Sequence, residues 1–351
     1  MGHMLKEIVD RLESGGGLSK DALSLLLLSD DLEETDYLKE RARRMADSIY
    51  GTDIYIRGLI EFTSYCKNNC FYCGIRCGNQ KAQRYRLTKA QIMECCGDGY
   101  ELGFRTFVLQ GGEDEFFTEN KVCELVYDIK SKFGDCAVTL SIGEKSRAQY
   151  QAYFDAGADR YLLRHETANE EHYRKLHPKE MHLENRKRCL YDLKEIGYQV
   201  GAGFMVGSPF QTSDTIYEDL RFIRELEPHM VGIGPFIPHK DTPFAGRRAG
   251  TLEMTLRLIS IIRLMNPRVL LPATTALGTI HPMGRELGIK AGANVVMPNL
   301  SPVEVREKYQ LYNHKLCMGD EAAESVQNLK GRMTDIGYQI VVDKGDFRRE
   351  D

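Results

Sequence analysis

Between residues 54 and 300, short apolar runs alternate with segments of helical periodicity about eight times over. The runs are Ile56–Phe62, Thr106–Leu109, Ala137–Leu140, Arg160–Leu163, Val200–Met205, Met230–Phe236, Val269–Leu271 and Asn294–Met297. Between them, Val122, Leu125, Val126 and Ile129 share one helix face. Ile216, Leu220, Ile223 and Leu226 share another, at the spacing of an amphipathic helix. Strand–helix alternation argues for parallel strands joined by helical crossovers. About eight such units in roughly 250 residues predict an α/β fold of the (β/α)8 TIM-type barrel class. A doubly wound open sheet is the alternative, and it would differ in a strand order that sequence does not display.

Boundary signals fit this reading. Thr88–Gln91 and Ser301–Glu304 match capping boxes. Pro302 is expected as the first residue inside its helix, where a missing N–H costs nothing. Gly197 is expected to close the helix carrying Leu190, Leu193 and Ile196. The chain divides into an N-terminal helical segment (1–53), the barrel (54–300) and a C-terminal extension (301–351). In the first, Leu5, Ile8, Val9 and Leu12 line one face; Met1–Gly2–His3 reads as a cloning scar before a natural start at Met4. The extension reads as a helix through Val326, Leu329, Met333 and Ile336, then a short strand and a charged tail.

Composition removes several function classes. Forty-seven Lys and Arg against 51 Asp and Glu give a formal charge of -4, without the basic excess of a general nucleic-acid binder. The 42% hydrophobic and 28% charged content is that of a globular chain, not a disordered or collagen-like one. No apolar run approaches the ~18 residues of a spanning helix, so neither a spanning helix nor a secretory leader is expected. Neither a nucleic-acid nor a membrane partner is expected, and a monomer is the default. Ten cysteines in a chain of this kind are expected to be reduced, in the cytoplasm.

Four of those cysteines fall between Cys66 and Cys77, directly after the first strand run. In a barrel, that loop lies at the C-terminal mouth, where barrel enzymes place their chemistry. Cys66, Cys70 and Cys73 lie within eight residues and converge most simply on a metal or cluster. Zinc usually takes four ligands from two separated pairs, and a closed iron–sulfur cluster takes four thiolates. Three thiolates leave one iron open to a ligand. Cys77 is either a fourth ligand or a bystander thiol; the second is favoured here. Gln110-Gly111-Gly112-Glu113 ends the second strand, and its glycines allow close backbone approach. Thr139 and Ser141 end the third strand, Arg164 and Glu166 leave the fourth, and Thr274 and Thr275 follow the seventh. Arg164 with Glu166 also reads as a plain salt bridge, Arg186 as a surface arginine and the paired threonines as strand formers.

The C-x3-C-x-aromatic-C spacing resembles the signature of the radical S-adenosylmethionine (SAM) enzymes. That resemblance implies a 4Fe-4S cluster on Cys66, Cys70 and Cys73, with SAM chelating the open iron and Tyr72 against its adenine. It implies that Gln110, Gly111, Gly112 and Glu113 orient the methionine end of SAM. Further segments resemble the HydE maturases of FeFe-hydrogenase, over about residues 50–315. They are Ile60–Thr63, Tyr85–Arg86, Val108–Gln110, Arg160–Thr167, Gly201–Gly203, Val231–His239, Pro272–Thr275 and Tyr309–Tyr312. The likeness implies that Glu166, Arg186 and Met297 join the SAM contacts. Ser141, Arg164, Thr274, Thr275 and Tyr309 would line an internal cavity, and Thr139 would bind a carboxylate there. It implies an anaerobic role in building the H-cluster from a cysteine-ligated iron complex made by HydG, with HydF as scaffold. A second C-terminal cluster is not expected, because Cys317 is the only cysteine after Cys189. Biotin synthase-like or methylornithine synthase-like chemistry, or a non-enzymatic iron–sulfur scaffold, are the competing readings.

Overall fold

The computed structural model describes residues 2–316 and 322–348. Cys317 lies outside the described residues. The strands are β1 (Asp53–Ile56), β2 (Gly58–Thr63), β3 (Thr106–Gly111), β4 (Ala137–Ser141) and β5 (Arg160–Leu162). They continue with β6 (Gln199–Ala202), β7 (Met205–Val206), β8 (Met230–Val231), β9 (Gly234–Pro235), β10 (Val295–Val296) and β11 (Gln339–Val341). Strands β2-β3-β4-β5-β6-β8 form one sheet in that order, every pair parallel. Isolated parallel bridges, Met230–Leu270, Pro272–Val295 and Leu59–Asn299, carry the circuit back to β2. Neighbours in space follow chain order around the ring. The fold is a TIM-type α/β barrel whose seventh stave is held by single bridges, while β10 of the eighth pairs with β1 in a short parallel ladder, Tyr55 with Val295 and Ile56 with Val296.

Several apolar runs are split where the sequence suggests one strand. The fifth and sixth runs show why. A Cβ on Gly203 would meet the Gly232 carbonyl oxygen at 2.0 Å, and Gly203 has φ +146°. The two backbones touch there, so β6 and β8 stop and β7 and β9 restart beyond the contact. The first run breaks at Arg57, whose buried guanidinium reaches Met230 Sδ (3.0 Å) and the Gly345 carbonyl (3.2 Å).

Helix signals held in two places and shifted in one. Thr88 caps the Lys89–Glu101 helix with its full capping box. Gly197 ends the Leu183–Ile196 helix in the left-handed region. Ser301 caps nothing: its hydroxyl accepts the Glu61 N–H of β2 at 2.7 Å. Pro302 is therefore the N-cap of a short helix, Val303–Arg306, without a side-chain cap bond.

Leu5, Ile8, Val9 and Leu12 are buried, as their spacing predicts. They help cover the Leu252–Met265 helix, which is buried on every face from Thr255 to Leu264. Each such leucine or isoleucine contributes about 1.5–3 kcal/mol by leaving water. The charged tail is not free. Thr106 donates to the Lys344 carbonyl (2.7 Å), and Arg160 binds that carbonyl and Asp346 at 2.9 and 2.6 Å. This closes the N-terminal end of the barrel and leaves the C-terminal mouth for the site. Among the described residues, no helix is long and apolar enough to cross a membrane.

Candidate active site

Strand β2 ends at Thr63 and hands the chain to the cysteine loop. Leu87 N–H returns to the Phe62 carbonyl (2.8 Å), so the loop begins and ends on the barrel rim. Cys66, Cys70 and Cys73 are half-buried; Cys77 is exposed, its N–H bound to the Asn68 carbonyl at 2.9 Å. The end of β3 lies against this loop. A Cβ on Gly112 would come within 2.2 Å of the Tyr65 oxygen and 2.5 Å of Cys66 Cβ, so the contact requires glycine. Glu113 N–H points at Cys66 Sγ (3.4 Å), and Lys67 N–H bonds the Glu113 carbonyl (2.9 Å).

Burial raises the pKa of all three thiols, most strongly for Cys70 and up to about 12 for Cys73. Backbone N–H groups pull the other way: Glu113 and Asn68 at Cys66, Ile75 at Cys73. These groups favour thiolate sulfur, and N–H···S bonds of this kind tune iron–sulfur potentials. Loading such a site must release protons. Among the described residues, no three His, Cys, Asp or Glu side chains are gathered as ligands of a single ion. The donor set suits a polynuclear cluster better than zinc.

Cys73 faces a cavity of about 240 Å3 inside the barrel mouth. Tyr72, Gln110, Arg164, Glu166, Thr274, Thr275 and Met297 share its wall. Glu166 has φ +64°, which turns its carboxylate toward the cavity from the end of β5. Arg164 Nη2 and Glu166 Oε2 are 3.0 Å apart, yet they are not aligned as a hydrogen bond. Among the described residues, those two atoms, Arg164 Nε and Thr274 Oγ1 are buried without a hydrogen-bond partner. Orphaned donors and acceptors facing one cavity suit a polar ligand carrying both carboxylate and amino groups. Arg164 and Glu166 thus form the ion pair that the plain salt-bridge reading expects, with Arg164 partly exposed and Glu166 largely buried, and the pair sits on the cavity wall.

Arg186, Glu113, Tyr309, Ser141 and Thr139 do not line this cavity themselves. Arg186 is buried, with Nε on Glu144 (2.5 Å) and Nη1 on the Arg164 carbonyl (2.6 Å). It is not a surface arginine. Glu113 Oε1 accepts the Glu144 N–H at 2.9 Å. Tyr309 is buried with its hydroxyl on Gln110. Ser141 ends β4. Thr139 lies deeper, beside a small separate pocket with Arg57 and Arg160, away from the main cavity.

Three contributors escaped the sequence reading. Glu61 is fully buried in β2 and meets Lys315 Nζ at 2.5 Å and Asn299 Nδ2 at 2.9 Å. Both Glu61 and Lys315 line the cavity. His177 Nε2 lies 3.1 Å from the Tyr72 hydroxyl. A lone acid inside an apolar run was the available signal for Glu61; nothing in the sequence marks Lys315 or His177.

Residues 60–223 match the model of the radical SAM superfamily. The HydE subunit of the [FeFe] hydrogenase maturase of Thermotoga maritima is 44% identical over 317 residues, 90% of this chain and 89% of that protein. The chain is a HydE-like member of the radical SAM superfamily. It is therefore an enzyme, and its cofactors are a 4Fe-4S cluster and SAM. A 3-methylornithine synthase of Methanosarcina barkeri is 32% identical over 90% of the chain and 89% of its own length. The crystal structure of methylornithine synthase PylB superposes with a TM-score of 0.85, 30% identity and coverage of 95% and 97%. The maturase HydG, at 21% identity and TM-score 0.80 over 96% of this chain and 76% of its own, shares the radical SAM barrel fold.

Proposed function

We propose that Cys66, Cys70 and Cys73 hold the 4Fe-4S cluster and that Cys77 does not. Tyr72, Gln110, Gly111, Gly112, Glu113, Glu166, Arg186 and Met297 bind SAM beside it. Bound there, the cluster would supply the electron for reductive cleavage of SAM, held by these residues. The protein's part is binding, orientation and exclusion of water. Gly112 lets the β3 end approach Cys66, and the barrel walls shield the cavity.

The substrate side of the cavity is Arg164, Thr274 and Thr275, with Ser141 and Tyr309 next to the cavity-lining Gln110 and Thr139 apart in its own pocket. Arg164 anchors a carboxylate, its guanidinium being able to bind one bidentately from the cavity wall. The substrate class is a sulfur-containing, cysteine-derived iron complex. The biological role is assembly of the FeFe-hydrogenase H-cluster, anaerobically in the cytoplasm, as a monomer working with HydG upstream and HydF downstream.

The observation that carries this reading is Cys73 on the wall of a cavity whose orphaned atoms are Arg164, Glu166 and Thr274. The test is anaerobic reconstitution with iron and sulfide, then reduction with dithionite in the presence of SAM. 5′-Deoxyadenosine is the expected product, and Cys70→Ala abolishes it. Full activity of Cys70→Ala, or no product from the iron-loaded wild type, overturns the assignment and favours a scaffold.

A further inference from the structure

Residues 64–84 run as turns and irregular backbone, so their shape must come from side chains and the groups they bind. Arg84 meets four main-chain carbonyls of this one loop. Nη1 donates to Ser64 and to Ile75 (2.8 Å); Nη2 donates to Arg76 (2.7 Å) and Asn79 (3.3 Å). Ser64 stands two residues before Cys66, and Ile75 two residues after Cys73. A single guanidinium thus ties together the chain on both sides of all three cysteines. The guanidinium also lies over the Tyr65 ring, 6.0 Å from its centre. Lysine cannot copy this, because its donors radiate from one point while the arginine fork is planar and fixed. The bond to the Ile75 carbonyl places the same charge two residues along the chain from Cys73.

We propose that Arg84 is a positioning residue: it pre-shapes the cysteine loop before the cluster arrives and sets a permanent positive charge beside Cys73. The inference rests on the reading that Cys66, Cys70 and Cys73 hold the cluster, but its geometric half stands on the metal-free chain. With the loop pinned at four carbonyls, the sulfurs need not be ordered at the moment of loading. Reduction adds negative charge to a cluster, so a fixed cation beside it favours the reduced form and raises the potential.

Two variants separate clamp from charge. Trypsin can cut the loop after Lys67, Arg76 and Lys81. In metal-free protein, Arg84→Met and Arg84→Lys are expected to be cut there roughly tenfold faster than wild type, the effect of losing one charge-assisted hydrogen bond or more. Circular dichroism checks that the barrel remains folded, and Arg84→Lys, the gentler change, carries the test should Arg84→Met fail to fold. After reconstitution, both variants release iron to a chelator faster. The midpoint potential falls in Arg84→Met and stays nearer wild type in Arg84→Lys. Wild-type cutting and wild-type iron release in both variants overturn the clamp. An unchanged potential in Arg84→Met overturns the electrostatic half. If no form of the protein takes up a cluster, the ligand assignment fails, while trypsin on the metal-free chain still decides the clamp.

Discussion

The Tyr72 hydroxyl lies 3.1 Å from His177 Nε2, and the two rings meet edge to face with centres 5.4 Å apart. Nδ1 of His177 sits 3.0 Å from the Tyr173 carbonyl, which can only accept. Nδ1 therefore carries the proton and Nε2 accepts from Tyr72. Burial pushes the His177 pKa down to about 3, which keeps the imidazole neutral and this polarity fixed. The ring also stacks on Tyr173 at 3.9 Å. Tyr72 is thus locked in one orientation beside Cys73.

His177→Ala leaves the Tyr72 hydroxyl buried without its acceptor, at a cost of about 1–3 kcal/mol. The expected result is SAM binding weakened roughly tenfold, with a lower melting temperature. His177→Gln keeps an acceptor and retains most of the affinity. Equilibrium binding of SAM to the iron-loaded variants checks this.

Glu166 makes a second prediction. Its left-handed backbone is unusual for a glutamate, and strain of this kind persists where the surroundings fix it. Glu166→Gln preserves shape and removes charge. Loss of a charge-assisted bond to the amino group of SAM costs about 1.5–3 kcal/mol, or roughly 10–100-fold in affinity. Glu166→Gly relaxes the backbone, yet it loses the same affinity. Improved SAM binding by either variant contradicts the assignment.

The Glu61–Lys315 pair tests how the cavity wall is held. Both partners are buried, so removing one leaves a charge without compensation. Lys315→Met or Glu61→Leu alone is expected to destabilise by about 3–5 kcal/mol. The double variant recovers most of that loss, because an apolar pair replaces an ion pair at little net cost. Chemical denaturation of the four proteins measures the cycle; additive losses contradict it.

The barrel was legible because apolar runs and helical stripes repeat at a scale that local pattern captures. The cysteine loop was legible because three thiols in eight residues have few other uses. What escaped was tertiary. The Gly203–Gly232 contact that splits the strands depends on two backbones far apart in sequence. Ser301 looked like a cap because local pattern cannot see Glu61, 240 residues away, competing for its hydroxyl. Lys315 is one of many lysines until the chain folds back over the mouth. Thr139 sits on the expected strand, but pattern alone cannot tell how deep in the barrel it lies.

A pH prediction comes from the fully buried pair His165 and Asp219, 3.5 Å apart behind Glu166. Burial pushes His165 down to about 3 and Asp219 up to about 8, so at pH 7 both are neutral and do not form an ion pair. From about pH 4 to 8 the folded state keeps the Asp219 proton that the unfolded chain has lost. That contribution to stability shrinks as pH rises, by at most about 1.4 kcal/mol per pH unit. His165 acts oppositely: between about pH 3 and 6.5 the unfolded chain binds the extra proton, so stability rises with pH. Asp219→Asn removes only the first term. Its melting temperature relative to wild type should climb from pH 5 to pH 8; a constant difference contradicts the protonated Asp219.

Electron paramagnetic resonance of the dithionite-reduced, reconstituted protein, recorded with and without SAM, tests the open iron most directly. The predicted result is a 4Fe-4S signal whose g-values shift when SAM is added, alike in wild type and Cys77→Ala and missing from Cys70→Ala. A spectrum indifferent to SAM, or a cluster lost with Cys77, contradicts a three-cysteine site.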